Sequence, residues 1–298
     1  MISNFSTKTY LWALGAALVV IAFFVAGAVI PHKIEQTAQT QEYLDNVATI
    51  ASAIRSPFEY TFNVDGILAE SGTSFESISP YWWVDSGGLL LIHSGTGSTI
   101  QGDLPQNNRW RMAYAGSNPT DTDDGLHPQN IFRLLTRSQW HNFRQEMYFR
   151  INKTNLSSSP NRNESNGLLL FNRYTDSADL YYAGIRVDGH AVIKKKLKGT
   201  YYTLAEASIF PGAYDRANTP NLLPQNKWIG LRSEVTTLGA DHVKIRLYVD
   251  EGEKNEWKLV ADADDFAADV PVIDERGYAG VRTDFMDVDF KGFKIEEL

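Results

Sequence analysis

The chain has 298 residues, no cysteine and a formal net charge of -8, with 43% hydrophobic and 12% aromatic content. Without cysteine it has no disulfide, no thiolate metal ligand and no acylated lipoprotein cysteine. Setting aside Lys8, 27 basic residues (28 minus 1) face 36 acidic ones, a balance that disfavours general nucleic-acid binding, and the length suits one large β domain.

Leu11 to Ile30 reads LWALGAALVVIAFFVAGAVI, free of charge and proline, and about 20 apolar residues match a bilayer-spanning helix. Lys8 and the α-amino group precede it, and the first acid is Glu35. The expected arrangement is a cytoplasmic N-terminus (1–10), a signal-anchor (11–30) that makes the protein a single-pass membrane protein, and an extracytoplasmic body. Ala26-Gly27-Ala28 offers the alternative of signal-peptidase cleavage and secretion. Residues 31–56 read as a stalk, with Ile34, Tyr43, Leu44, Val47, Ile50 and Ile54 at roughly helical spacing until Pro57 breaks the pattern.

From Phe58 onward the period shortens to alternating runs punctuated by Gly, Asn, Asp and Pro. Strands are predicted at Phe58–Val64, Leu89–His93, Trp110–Ala113, Ile131–Leu135, Phe143–Asn152, Gly167–Tyr174, Leu180–Val187 and Ala191–Lys195. They continue at Tyr201–Ala205, Trp228–Val235, Val243–Val249, Trp257–Asp262, Gly277–Thr283 and Val288–Ile295. No long helical period follows the stalk. The expected fold is all-β, a two-sheet antiparallel β-sandwich (jelly roll) over 57–298.

Three of these strands share one recipe. Tyr182-Ala183-Gly184-Ile185-Arg186-Val187-Asp188 returns as Trp228-Ile229-Gly230-Leu231-Arg232-Ser233-Glu234 and as Tyr278-Ala279-Gly280-Val281-Arg282-Thr283-Asp284. The two-residue period of a strand puts aromatic, Gly, Arg and acid on one face and mostly apolar residues on the other. One reading makes these nine residues, Tyr182, Arg186, Asp188, Trp228, Arg232, Glu234, Tyr278, Arg282 and Asp284, a single ligand-binding surface. On it glycine leaves a notch beside a flat ring and a planar donor fork, suited to a sugar. The other reading is a ladder of Arg–carboxylate pairs that only stabilises the sheet.

The ending Gly277-Tyr-Ala-Gly280-Val-Arg282-Thr-Asp284, followed by Asp287-Val-Asp-Phe290-Lys-Gly-Phe293-Lys-Ile, resembles the closing strands of concanavalin A-like lectin/glucanase domains, laminin-G-like modules included. Trp228-Ile-Gly-Leu-Arg232, Val243–Asp250 and Trp257-Lys-Leu-Val260 are similar to the strands before them. The resemblance implies the jelly-roll fold and a carbohydrate or polysaccharide partner. It also implies, as a cofactor, a structural calcium on the convex side, for which the acidic loops Asp121–Gly125 and Asp262–Asp265 are the candidates. It does not select an activity, because such scaffolds host lectins, hydrolases and lyases alike.

Catalytic residues are not legible. No glutamate has an aspartate two positions on, so the laminarinase-type motif is absent, and Glu146, Asp188, Glu234 and Asp284 remain as carboxylates for a hydrolase. Tyr182 and His190 could serve a lyase, but the order along the chain differs from that of alginate lyases. Tyr81-Trp82-Trp83 reads either as an alternative sugar platform or as a buried aromatic cluster at the sheet edge, and Lys194-Lys195-Lys196 with Lys198 reads as a solvated strand end, with a local acidic-sugar contact left open. Asn152, Asn155 and Asn163 head sequons. The expected function is a membrane-anchored, lectin-like, carbohydrate-binding protein of the cell envelope. The alternatives are a glycan-degrading hydrolase or lyase and a structural, adhesive surface protein.

Overall fold

A computed structural model of the chain describes residues 40–50, 54–268 and 270–298. The segment Leu11–Ile30 and the Ala26-Gly27-Ala28 motif lie outside them. Among the described residues no helix is long and apolar enough to cross a membrane. Residues 40–50, within the expected stalk, are helical and rest on the body. There Val47 is buried and the Tyr43 hydroxyl donates to the Ile78 carbonyl at 3.1 Å.

The body opens with β1 (Phe58–Tyr60), β2 (Gly66–Ala69), β3 (Trp82–Ser86), β4 (Leu89–His93) and β5 (Thr96–Ser98). Helices α1 (Arg109–Ser117) and α2 (Pro119–Thr122) follow, then a 3₁₀ turn at Pro128–Asn130. Next come β6 (Ile131–Trp140), β7 (Phe143–Thr154), β8 (Gly167–Tyr174), β9 (Leu180–Arg186), β10 (His190–Leu197) and β11 (Thr200–Ser208). The chain closes with β12 (Trp228–Gly239), β13 (His242–Glu251), β14 (Lys258–Phe266), β15 (Gly277–Asp284) and β16 (Met286–Glu297).

The strand predicted at Trp110–Ala113 is instead the middle of α1. Asn108 caps that helix, its side chain accepting from the Trp110 N–H, and Asn118 ends it. A cap decides locally what a short apolar run leaves ambiguous.

The strands form two antiparallel sheets. A nine-stranded sheet runs β14-β13-β12-β7-β16-β5-β4-β2, with β1 also on β16, and a seven-stranded sheet runs β11-β10-β9-β8-β15-β6-β3. Alternate residues of both sheets meet in one core. Leu168 and Leu170 of β8, Ala183 and Ile185 of β9, and Val281 of β15 face Met147 and Phe149 of β7, Leu231 of β12 and Phe290 of β16. This is a two-sheet antiparallel sandwich with inner faces packed by alternation.

Two buried cations join the sheets at their margins. The Lys195 ammonium (β10) donates to Asp265 (β14) at 2.8 Å and to the carbonyls of Val270 and Pro271, while the Tyr181 hydroxyl donates to the other Asp265 oxygen at 2.5 Å. Arg173, fully buried, donates to the carbonyls of His141 and Ile273 and to Asn142 and Thr237. Lys195 therefore points inward, not into solvent with the rest of the lysine cluster.

Candidate functional site

The three heptads do not share one surface. The first lies on β9 and the third on β15, flanking β8 in the seven-stranded sheet, whereas the second lies on β12 in the other sheet. Alternation correctly places aromatic, Gly, Arg and acid on one face of each strand. Which sheet a strand joins is settled by pairing over long sequence distances, which the heptad does not encode.

On the outer face of the nine-stranded sheet, the second heptad is self-satisfied. Arg232 donates to Glu146 from Nε at 2.7 Å and approaches it from Nη2 at 2.5 Å, and its guanidinium lies 4.1 Å above the Trp257 ring. Glu234 accepts from Arg144 at 2.8 Å and from the Tyr248 hydroxyl at 3.1 Å. Trp228 has Arg150 at 4.7 Å and Lys291 at 4.1 Å from its ring centroid. The expected notch is absent, because a Cβ on Gly230 would lie 2.8 Å from both the Trp257 and Tyr148 rings. Here glycine seats two rings against the strand, and the Arg–carboxylate pairs Arg232–Glu146 and Arg144–Glu234 run across neighbouring strands.

The outer face of the seven-stranded sheet is different. It carries a second buried cluster, separate from the core: Trp83, Leu135, Leu169, Phe171, Tyr174, Leu180, Tyr182 and Val192, with Tyr278 packed against it. Cross-strand register explains the gathering. Tyr182 pairs with Phe171 on one side and Lys194 on the other, Gly280 pairs with Phe171 and Leu135, and Leu135 pairs with Trp83. At Gly184 and Gly280 the close approach of the next strand requires glycine, since a Cβ would strike the carbonyls of Leu168 and Leu134.

Charged side chains rim this floor. Arg282 donates from Nε to Asp284 at 2.7 Å; its terminal nitrogens have no hydrogen-bond partner among the described residues, and its side chain is 29% exposed. Arg133, directly opposite Arg282, donates to Asp85 at 2.8 Å, and Asp85 also accepts from the Tyr174 hydroxyl at 3.2 Å. Arg186 is spent on Asp188 and Glu206. Burial opposes charge on Asp188, yet Arg186 and the His190 N–H hold its carboxyl below the usual range. Lys194 has no partner among the described residues, and the Tyr201 ring, 50% exposed, stands edge-on to Tyr182 at 6.3 Å. Burial first, then Tyr201, pushes the Tyr182 phenol well above its ordinary range, so it stays protonated as a donor.

Beside Trp83, the Glu70 carboxylate accepts from the Tyr114 hydroxyl at 2.5 Å and the Gly88 N–H at 2.7 Å. Burial raises its pKa against those two bonds, and neighbouring Asp85 adds to the rise. Sequence reasoning missed Glu70, Asp85, Arg133 and Tyr201, and read Lys194 with its neighbours as a solvated strand end. Strict alternation through Trp82-Trp83-Val84-Asp85 and Lys194-Lys195-Lys196 would have flagged several, because Trp82 and Lys195 fall inward and their neighbours outward. Of the Tyr81-Trp82-Trp83 platform, only Trp83 belongs to this face. Trp82 is core, and Tyr81 packs on it beside Phe58 at 5.6 Å.

The acidic loops do not fit a calcium site. Asp121 accepts from Ser159 and Asn161, and Asp123 from Ser157, His127 and Asn130. Asp262 and Asp264 are engaged by Lys244, with Arg246 and His242 beside them. Among the described residues, no three His, Asp or Glu side chains gather as a metal set.

No protein-family model matches the chain, and no curated protein does. Among solved structures it is similar to the carbohydrate binding module CBM66 from Bacillus subtilis, with 19% identity over 57% of this chain and 83% of that one, TM-score 0.40. It is also similar to the Bacillus licheniformis beta-glucanase, with 10% identity over 81% of this chain and 98% of that one, TM-score 0.41. A third is the GH43 protein BlXynB from Bacillus licheniformis, with 10% identity, 80% and 39% coverage, and TM-score 0.43. Likenesses this distant carry no argument about activity.

Proposed function

We propose that this chain binds carbohydrate on the outer face of its seven-stranded sheet, as a non-catalytic module held at the cell envelope by Leu11–Ile30. The observation that carries the reading is the contrast between the two outer faces. On the nine-stranded sheet the rings are covered by cations and the arginines are spent on carboxylates. On the seven-stranded sheet Arg133 and Arg186 are likewise spent and Lys196 lies 4.7 Å over the Tyr201 ring, but an apolar, aromatic floor is rimmed by donors on Arg282, Lys194 and Tyr182 that have no partner among the described residues, with Tyr201 half exposed beside them. Flat rings for stacking next to planar donors are what a sugar ring with vicinal hydroxyls requires.

In this reading Tyr182, Arg186, Asp188, Tyr278, Arg282 and Asp284 belong to the binding face, while Trp228, Arg232 and Glu234 do not. A glycan array of the full-length chain tests it, repeated with Tyr201→Ala and with Trp257→Ala on the opposite face. Binding that survives Tyr201→Ala and is lost with Trp257→Ala would place the ligand on the wrong sheet.

A second reading, glycan hydrolysis, rests on Glu70 and Asp85. Burial raises the pKa of the Glu70 carboxyl, while Asp85 is paired with Arg133. Two carboxyls in such different surroundings, one buried and one paired with a guanidinium, suit acid and base roles. Release of reducing ends that Glu70→Gln abolishes would establish it.

A further inference from the structure

Building on the binding face just proposed, we infer that its ligand is an acidic glycan, whose uronate carboxylate is received between Arg282 and Lys194 above Tyr182. The chain as a whole is acidic, yet this face is not. By alternation, its strands contribute Arg133, Arg137, Arg186, Arg282, Lys194 and Lys196, against Asp85, Asp284 and Glu206; Asp188, on the turn after β9, is held by Arg186, and Glu70 by Tyr114 and the Gly88 N–H.

Four of those six cations are already committed. Arg137 donates to the carbonyls of Phe75, Ser77 and Ser79, Lys196 to that of Ser177, Arg186 to Asp188 and Glu206, and Arg133 to Asp85. Among the described residues, Arg282 keeps both terminal nitrogens unspent, and Lys194 its whole ammonium. The two flank Tyr182 across the sheet: Lys194 is its direct partner on β10, and Arg282 stands on β15, beyond β8, paired with Leu169, whose partner on β9 is Gly184, two residues from Tyr182. The guanidinium edge of Arg282 that faces away from Asp284 presents two parallel N–H donors, the geometry a planar carboxylate matches. A neutral sugar would leave those donors paired only with hydroxyls. The ring above Tyr182 and beside Tyr201 would carry the carboxylate outward to them.

The test uses the full-length chain and three sets of probes: galacturonate, mannuronate and glucuronate oligomers, the same oligomers methyl-esterified, and a sulfated oligosaccharide of similar length. At least one uronate oligomer should bind, and its ester about tenfold or more weaker, as expected for loss of a charge-assisted contact. Lys194→Gln removes no internal partner, so the fold is unaffected. It should weaken uronate binding about fivefold or more and flatten its salt dependence. Lys258→Gln, the same charge change on β14 of the other sheet, should do neither.

Equal binding of uronate and ester overturns the acidic-glycan assignment while leaving the binding face in place. So does binding of neutral glycans alone on the array. Preference for the sulfated probe overturns the carboxylate. Absence of any glycan binding overturns the binding face itself.

Discussion

Replacing Arg232 with lysine separates the two roles that an arginine on a strand face can have. In the structure Arg232 makes a forked contact with Glu146 and lies 4.1 Å above Trp257, with its side chain 21% exposed and that of Glu146 13%. Lysine keeps the charge but loses the fork and the planar stacking. The lost charge-assisted hydrogen bond and cation–π contact, discounted for partial exposure, amount to about 1–2 kcal/mol. In a domain of this size that lowers the melting temperature by about 2–8 °C. Scanning calorimetry of wild type, Arg232→Lys, Glu146→Gln and the double variant should show the two single losses failing to add, as for groups in contact. Glycan affinity should be unchanged, because β12 lies in the sheet opposite the proposed binding face. An unaltered melting temperature combined with weakened binding would refute this reasoning and return the second heptad to the ligand.

Asp265→Ala should cost about 3–5 kcal/mol in urea unfolding, since it strands the buried Lys195 ammonium and the Tyr181 hydroxyl. Lys195→Met with Asp265→Leu should recover most of that loss. Tyr201→Ala should abolish glycan binding with little change in stability, measured by titration calorimetry and melting, because the ring is half exposed. Acid should destabilise the fold. Asp188 and Asp250 both have carboxyls below the ordinary range despite burial, held there by Arg186 and by the Tyr148 hydroxyl respectively. Their contribution is present above the unfolded value near 4 and is lost as pH falls through the lower folded values. Glu70 has the opposite sign, and Glu70→Gln should make the loss of stability on acidification steeper, as followed by circular dichroism against pH.

The strands Leu89–His93 and Gly167–Tyr174 have the predicted limits, and most of the others differ only at their ends, because alternation is a local signal that survives any tertiary context. The floor of the proposed binding face was less legible. β8 is buried along its whole length, Leu168 and Leu170 inward and Leu169 and Phe171 outward. Such a run shows no polar side to mark one face as the ligand's. Glu70 sits outside any strand and gained its environment from α1, through Tyr114, in a region where the sequence pattern had suggested a strand.

The sequence by itself determined that the body is β, that it pairs as two antiparallel layers, and that the aromatic, Gly, Arg and acid of each heptad share one strand face. The two-residue period makes each of these a property of neighbouring positions. Only the tertiary structure decided that β9 and β15 flank β8 while β12 joins the other sheet, through pairings such as Arg282 with Arg133 and Arg232 with Glu146. It likewise decided that the same heptad is covered by Trp257 and Lys291 on one sheet, whereas on the other it rims an apolar floor, with Arg186 spent on Asp188 and Glu206 and Arg282 bonded through Nε alone to Asp284. Whether an arginine is spent or free depends on which strand lies beside it, and that neighbour is chosen by packing across the whole sandwich.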